Sequence, residues 1–311
     1  MVASQISISV VSPVYLAEHL VDPLVTQLIA VLKPLTPHFE IILVEDGSPD
    51  NSWQKIVENC DKDNRIKGIQ LSRNFGQHYA ITAGLDEAQG EWIVVIDCDL
   101  QDPPEEIVRL YQKAQEGYEV VLARRQQRKE TFLKRFFSWL FYRILSYLTG
   151  TKHDPAVGNF GIYHKEVVQA ICKMPEQIRY FPTMVKWVGF KQAAIETQSK
   201  KRIQGKSSYT FKKLRHLALD IMLAYSDKPI RLLVKLGFLI ATLAFLAALV
   251  VFVQYFLGVI QVAGYASLII SIWFFSGLIM MTLGMVGLYV GKTFEGVKNR
   301  PLYIIKRKRN G

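Results

Sequence analysis

The sequence predicts an α/β fold around a mostly parallel sheet, followed by a pair of membrane-spanning helices. Three observations carry this. Between Ile6 and Arg125, apolar runs of strand length alternate with amphipathic helical patterns, the signature of βαβ units. Polar or acidic residues follow those runs at their carboxyl ends. Residues 236–291 contain no Asp, Glu, Lys, Arg or His, whereas one membrane span needs only about 20 apolar residues.

Taken in order, Ile6 to Val11 reads as a strand that ends at Ser12-Pro13-Val14-Tyr15, with a helix from about Leu20 to Leu32. Phe39 to Val44 is a second strand, closing on Glu45-Asp46-Gly47-Ser48. Asp50 or Asn51 is placed to cap the helix of Trp53 to Cys60. Ile66 to Leu71 is a third strand, and Ser72-Arg73-Asn74-Phe75-Gly76 leads into a helix reaching Ala88. A helix from Pro104 to Gln115 and a strand from Glu119 to Ala123, ending at Arg124-Arg125, complete the series. No GxGxxG follows the first strand, which disfavours the dinucleotide-binding form.

The central strand, Trp92-Ile93-Val94-Val95-Ile96, runs directly into Asp97-Cys98-Asp99-Leu100-Gln101-Asp102-Pro103-Pro104. Its apolar residues are too few for a helix and fit a buried strand. Asp97 and Asp99 therefore stand at a carboxyl edge, where ligands bind in open α/β sheets. Asp102, before two prolines, reads as the cap of the next helix, which leaves Asp97 and Asp99 without a structural task. Two carboxylates there suit Mg²⁺ or Mn²⁺ clamping a diphosphate, since such ions take few protein oxygens and share the rest with phosphate and water.

Net charge +11 on a chain that is 50% hydrophobic implies membrane contact. Nucleic acid is disfavoured because no helix-turn-helix, zinc-finger or aromatic RNA-binding pattern accompanies the basic excess. Cys60, Cys98 and Cys172 are odd in number and lack metal-ligand spacing, which argues against a disulfide framework or zinc site. The N-terminus has no basic segment ahead of a signal-like apolar run, so that part is expected in the cytoplasm.

Two stretches, Thr131 to Leu148 and Tyr209 to Tyr225, mix basic residues with aromatics and leucines and read as helices lying in a bilayer interface. The spans are expected near 236–257 and 266–290, joined by a turn containing Gly258, Gln261 and Gly264. Lys228, Arg231 and Lys235 precede them and Lys292, Lys298 and Arg300 follow, so the positive-inside rule puts both ends in the cytoplasm. Gly277, Gly284, Gly287 and Gly291 offer close helix packing. The expected organisation is a catalytic domain over 1–207, a juxtamembrane helix over 208–235, the hairpin over 236–291 and a basic tail over 292–311. A diphosphate-and-metal site held beside a bilayer suits a water-soluble activated donor and a lipid acceptor.

Val10-Val11-Ser12-Pro13-Val14-Tyr15, Val44-Glu45-Asp46-Gly47-Ser48, Ser72-Arg73-Asn74-Phe75-Gly76, Asp97 to Pro104 and Arg202-Ile203-Gln204-Gly205-Lys206-Ser207-Ser208-Tyr209 resemble the family 2 glycosyltransferases. Within these the chain is similar to the polyprenyl-phosphate glycosyltransferases, especially the GtrB-type bactoprenol glucosyltransferases, relatives of the dolichol-phosphate mannosyltransferases. The resemblance spans essentially the whole chain. It implies a GT-A type, Rossmann-like fold, a nucleotide-sugar donor, a divalent metal, inversion at the anomeric carbon and a homotetramer.

By the same resemblance, Asp46 reads the base, Pro13 and Tyr15 line its pocket, and Asp97 lies toward the ribose and a metal-bound water. Asp99 ligates the metal, Gln101 faces sugar or metal, and Arg202 reaches the diphosphate. Arg124, Lys134, Arg135 and Ser138 resemble the group that holds the lipid phosphate. The chain departs from the family at two places. Leu16 stands where Asn commonly follows the Tyr, and Asn159, not Asp, precedes Phe160 in the acceptor loop. Asp154 is the carboxylate left as candidate base, and its place before Pro155 also fits a turn. A phosphate monoester, with its second pKa about 6, already arrives as an anion and needs no strong base.

The implied reaction moves a hexose, glucose from UDP-glucose foremost, onto polyprenyl phosphate at the cytoplasmic leaflet. The alternatives are a GDP-mannose donor and a non-catalytic membrane scaffold with a degenerate nucleotide pocket. A processive synthase is disfavoured, because Gln177-Ile178-Arg179-Tyr180 does not supply its Gln-x-x-Arg-Trp motif.

Overall fold

The structure, a computed structural model, describes residues 6–125, 143, 154, 156–198, 228–257 and 264–311. Contacts divide these into two units. One holds the sheet, its helices and residues 300–311, and the other holds the two long C-terminal helices.

In the sheet unit the elements run β1 (Ile8–Val14), α1 (Val21–Leu35), β2 (Phe39–Glu45), α2 (Ser52–Lys62), β3 (Ile66–Leu71), α3 (Gln77–Glu87), β4 (Trp92–Val95), α4 (Glu106–Ala114) and β5 (Val120–Arg125). They continue with β6 (Val157–His164), α5 (Lys165–Cys172), α6 (Phe181–Trp187), β7 (Gln192–Thr197) and β8 (Ile305–Arg309). The sheet has eight strands in the order β7-β5-β6-β4-β1-β2-β3-β8. Strands β3, β2, β1 and β4 are parallel, as expected. Beyond β4 the sheet becomes mixed, β6 pairing antiparallel with both β4 and β5 and β7 parallel with β5, and at the other edge β8 pairs antiparallel with β3, so parallel pairings keep only a narrow majority.

The apolar runs of β1 and β2 are buried on both faces, which is why they show no polar alternation. Val10, Ile41, Leu43 and Val94 face Leu24, Leu28, Ile56 and Ile107 of α1, α2 and α4 in the core. Val11 and Val44 point the other way, toward α3, whose Gly84 leaves no room for a Cβ: one would lie 2.3 Å from Val11 Cγ1.

In the second unit, α7 (Lys228–Phe256) and α8 (Tyr265–Val297) cover most of the two expected spans. Among the described residues one stretch, Ser271–Phe294, is long and apolar enough to cross a membrane, with mean hydropathy 1.8. Large apolar side chains project from both helices, Phe238 being 76% and Trp273 77% exposed. Among the described residues, a Cβ on Gly277, Gly284, Gly287 or Gly291 meets nothing within 4 Å.

Candidate active site

The carboxyl ends of β1, β2 and β4 meet at one edge of the parallel strands. Pro13 is buried in β1, and Tyr15, 42% exposed, follows it at the rim. Asp46 is 3% exposed at the end of β2. Its Oδ1 accepts the Phe75 amide at 2.7 Å and its Oδ2 the Gly76 amide at 2.9 Å, so the carboxylate braces the turn between β3 and α3. Burial pushes Asp46 above the ordinary carboxylate range, opposed by those two amides and by the Arg73 charge. Gly47 permits this approach. Its φ is +62° and an added Cβ would lie 2.3 Å from the Arg73 carbonyl carbon.

Two sequence expectations about caps are resolved here. Asp50 rather than Asn51 serves α2, accepting from the Ser52 amide at 3.2 Å and the Ser52 hydroxyl at 2.6 Å. Asp102 does not cap α4. It is 1% exposed and takes a two-pronged ion pair from Arg125, at 3.0 Å from Nε and 2.7 Å from Nη2. The cap reading failed because Arg125 lies far along the chain and reaches Asp102 only in the folded sheet.

Asp97 and Asp99 stand just beyond β4. Gln77 Nε2 donates to Asp97 Oδ1 at 2.7 Å, and the Asn159 side chain also hydrogen-bonds Asp97. Burial first, then the charges of Asp99 and Asp102, push Asp97 up to about 6, while Arg125 and Asn159 pull it down. Asp99 Oδ1 accepts the Gln101 amide at 3.1 Å. Leu100 between them has φ +55°, a left-handed backbone that a bulky residue adopts only when its surroundings impose it. Cys98 is pushed up to about 12, mainly by burial, so its thiol stays protonated and unreactive.

The donor set fits a hard divalent cation. Two carboxylates one residue apart carry charge that Arg125, committed to Asp102, only partly offsets. Among the described residues no group of three or more His, Cys, Asp or Glu forms a closed cage.

Arg124 and Asp154, assigned separate roles by the resemblance, meet each other: Nε lies 3.0 Å from Oδ2. Asp154 Oδ1 also accepts the Ala156 amide at 2.9 Å, the turn that its position before Pro155 implies. A small pocket beside them is lined by Asp154, Tyr163, Tyr180 and Lys186. Burial pulls the Lys186 ammonium below its ordinary value, against the attraction of Asp154. Lys134, Arg135, Ser138 and Arg202 lie outside the described residues, as do the two basic helical stretches apart from Arg143.

Sequence reasoning passed over Gln77, Asn159 as a partner of Asp97, Arg125 and Lys186. Gln77 and Asn159 each stand beside a motif already singled out, and proximity to Ser72–Gly76 and Phe160 was the available signal. Arg179, from the segment compared with the synthase motif, is 4% exposed and donates to the Ile171 and Met174 carbonyls, a structural role.

A Rossmann-like mixed sheet with an Asp-x-Asp at the carboxyl end of a central strand has the ligand-binding edge of an α/β enzyme and the GT-A fold. The fold is shared with glucosyl-3-phosphoglycerate synthase from Mycobacterium tuberculosis, solved in complex with Mn²⁺, uridine-diphosphate-glucose and phosphoglyceric acid. That likeness has a TM-score of 0.51 at 14% identity, over 70% of this chain and 78% of that one. The chain belongs to glycosyl transferase family 2, whose sequence pattern matches residues 9–190. It is 34% identical to the undecaprenyl-phosphate 4-deoxy-4-formamido-L-arabinose transferase of Proteus mirabilis, over 96% of this chain and 93% of that one. It is also 34% identical to the bactoprenol glucosyl transferase of Shigella phage SfII, over 98% and 99%.

Proposed function

We propose that this glycosyltransferase moves a hexose, glucose from UDP-glucose, onto polyprenyl phosphate at the cytoplasmic leaflet, with inversion at the anomeric carbon. The observation that carries the reading is the convergence of Asp46, Asp97 and Asp99 at one sheet edge, in a chain that matches two lipid-phosphate sugar transferases over nearly its full length. A phosphate oxygen of the lipid bonds to the anomeric carbon as the bond from that carbon to the nucleoside diphosphate breaks.

Asp99, with Asp97 through water, would hold Mg²⁺ or Mn²⁺, which supplies charge neutralisation for the departing diphosphate. Gln77 and Asn159 fix the Asp97 carboxylate, and Pro13, Tyr15 and Asp46 shape the nucleoside pocket. Gln101 faces sugar or metal, while Arg202 meets the diphosphate. Arg124, with Lys134, Arg135 and Ser138, gathers the lipid phosphate. Asp154 is engaged by Arg124, and a dianionic acceptor needs no base from it.

Membrane placement rests on connectivity. The chain leaves the sheet unit before α7 and rejoins it after α8. A segment that departs from and returns to one folded unit can cross a bilayer only an even number of times, and the basic residues flanking α7 and α8 support two spans with both ends cytoplasmic.

The test is purified protein with undecaprenyl phosphate and labelled UDP-glucose or GDP-mannose in parallel, with and without chelator. Glucolipid from UDP-glucose is expected. The chelator should abolish it, and Asp99→Asn should lower it by about 10³-fold. Product from GDP-mannose alone reassigns the donor. Failure with every donor, with or without metal, favours the scaffold.

A further inference from the structure

Residues 300–311 follow α8 in the chain but belong to the sheet unit. β8 pairs antiparallel with β3, Gly68 opposite Arg309 and Leu71 opposite Ile305, with a bulge at Gln70/Leu71. The pairing continues past the strand, because the Ser72 amide donates to the Ile304 carbonyl at 2.9 Å. Ser72 opens the turn whose Phe75 and Gly76 amides hold the Asp46 carboxylate.

Beyond the turn, the Tyr303 hydroxyl donates to Asp86 and Lys308 Nζ to Glu87, each at 2.6 Å, and both acceptors are on α3. That helix begins at Gln77, the donor to Asp97. Arg309 forks onto Asp61 of α2 at 2.6 and 3.0 Å, and Asn310 Nδ2 donates to the Cys60 and Ile66 carbonyls at 2.7 and 3.0 Å. One short segment thus grips α2, β3 and α3, the elements on either side of the turn.

We infer that residues 303–310 form a strap that fixes the Ser72–Gly76 turn, so that Asp46 is set for the nucleotide only once the chain beyond α8 has returned to the sheet. Tyr303 and Ile304 are positioning residues, acting through the turn. Without β8, β3 becomes an edge strand whose outward amides and carbonyls turn to water. Ser72 then loses its partner, and the turn keeps only its contacts with the β2 end and with α3. No slack exists on the opposite side, where Gly47 already abuts Arg73 and Asn74.

The effect on the donor rests on the proposed function, whereas the ordering of the turn does not. The experiment compares the full chain, a chain ending at Leu302, the double variant Tyr303→Phe/Asn310→Ala, and Lys306→Ala on the exposed side of β8 as control. Amide exchange is followed at Phe75 and Gly76, together with kinetics in UDP-glucose. The shortened chain should exchange about tenfold faster at those two amides while β1 and β4 stay protected. Its KM for donor should rise with kcat within about twofold. Lys306→Ala should match the unaltered protein. If the shortened chain cannot be purified, the double variant decides, with a smaller change in the same direction. Unchanged exchange at Phe75 and Gly76, or exchange raised equally through the whole sheet, overturns the strap. A full-length enzyme inert with every nucleotide sugar would sink the functional reading and leave the exchange result to judge the strap.

Discussion

On the donor side, Asp46 rests on two backbone amides and on a glycine with no space for a methyl group. On the side the resemblance gives to the acceptor, Arg124 and Asp154 meet only through side chains, 48% and 35% exposed. Backbone contacts among packed elements hold one geometry. A solvent-facing ion pair contributes little to stability and is free to exchange partners. On the proposed reading, the donor side around Asp46 is thus held ready by the fold, whereas the Arg124–Asp154 pair can open to an incoming phosphate.

The strongest challenge to that contrast is Gly47→Ala. It places a Cβ into the Arg73–Asn74 backbone at a φ of +62°, with an expected loss of about 2–3 kcal/mol. Thermal unfolding and donor KM would register it. A variant as stable as the parent would show that the donor turn yields.

His78, at the start of α3, tests how rigid the donor helix is against acid. Its Nδ1 is enclosed without a hydrogen-bond partner among the described residues, its ring stands edge-on to Tyr180 at 4.9 Å, and burial lowers it from 6.5 to about 4. The neutral ring in the fold takes up fewer protons than the unfolded chain between those values. The His78 contribution to stability is therefore full above pH 6.5 and is lost as pH drops toward 4, with a slope of up to about 1.4 kcal/mol per pH unit, while Asp97, pushed up to about 6, contributes with the opposite sign between 3.8 and 6. Denaturant titrations at stepped pH should show a stability difference between the parent and His78→Gln that changes with this slope between pH 6.5 and 4.

Arg124→Ala should change stability by less than about 1 kcal/mol while raising the acceptor KM about tenfold and sparing the donor KM. A large stability loss would erase the distinction between the two sides. Leu16→Asn should be the smallest effect. Leu16 has φ +51°, which Asn tolerates better, and its amide bond to Ser48 Oγ at 2.7 Å survives the change. A gain of about 1 kcal/mol in chemical denaturation is expected.

Much of the fold was legible in the sequence. The apolar runs at Ile8–Val14, Phe39–Glu45 and Trp92–Val95 are buried on a parallel sheet, and burial on both faces writes itself as near-continuous hydrophobicity, whereas Ile66–Leu71 keeps Lys67 and Gln70 half-buried. β6 was not legible: Val157–His164 is broken by Gly158 and Gly161, and the latter packs against the Val121 carbonyl, a close approach that only the neighbouring strand explains. β8 reads Ile-Lys-Arg-Lys-Arg, and no hydrophobic pattern announces a strand held by backbone bonds and surface ion pairs. Family resemblance located Leu16 as a departure, and the left-handed backbone there supplies the reason for Asn.

The sequence by itself determined the parallel core, the acids at its carboxyl edge and the apolar stretch over 236–291, because burial and chain continuity leave local, periodic traces. Only the tertiary structure decided which partner each charge takes: Asp102 with Arg125, Asp154 with Arg124, Asp97 with Gln77, and the returning β8 with β3. Those pairings join residues far apart in the chain. Their free energy depends on distance and desolvation in the folded protein, and neither quantity is encoded in the spacing of residues along the sequence.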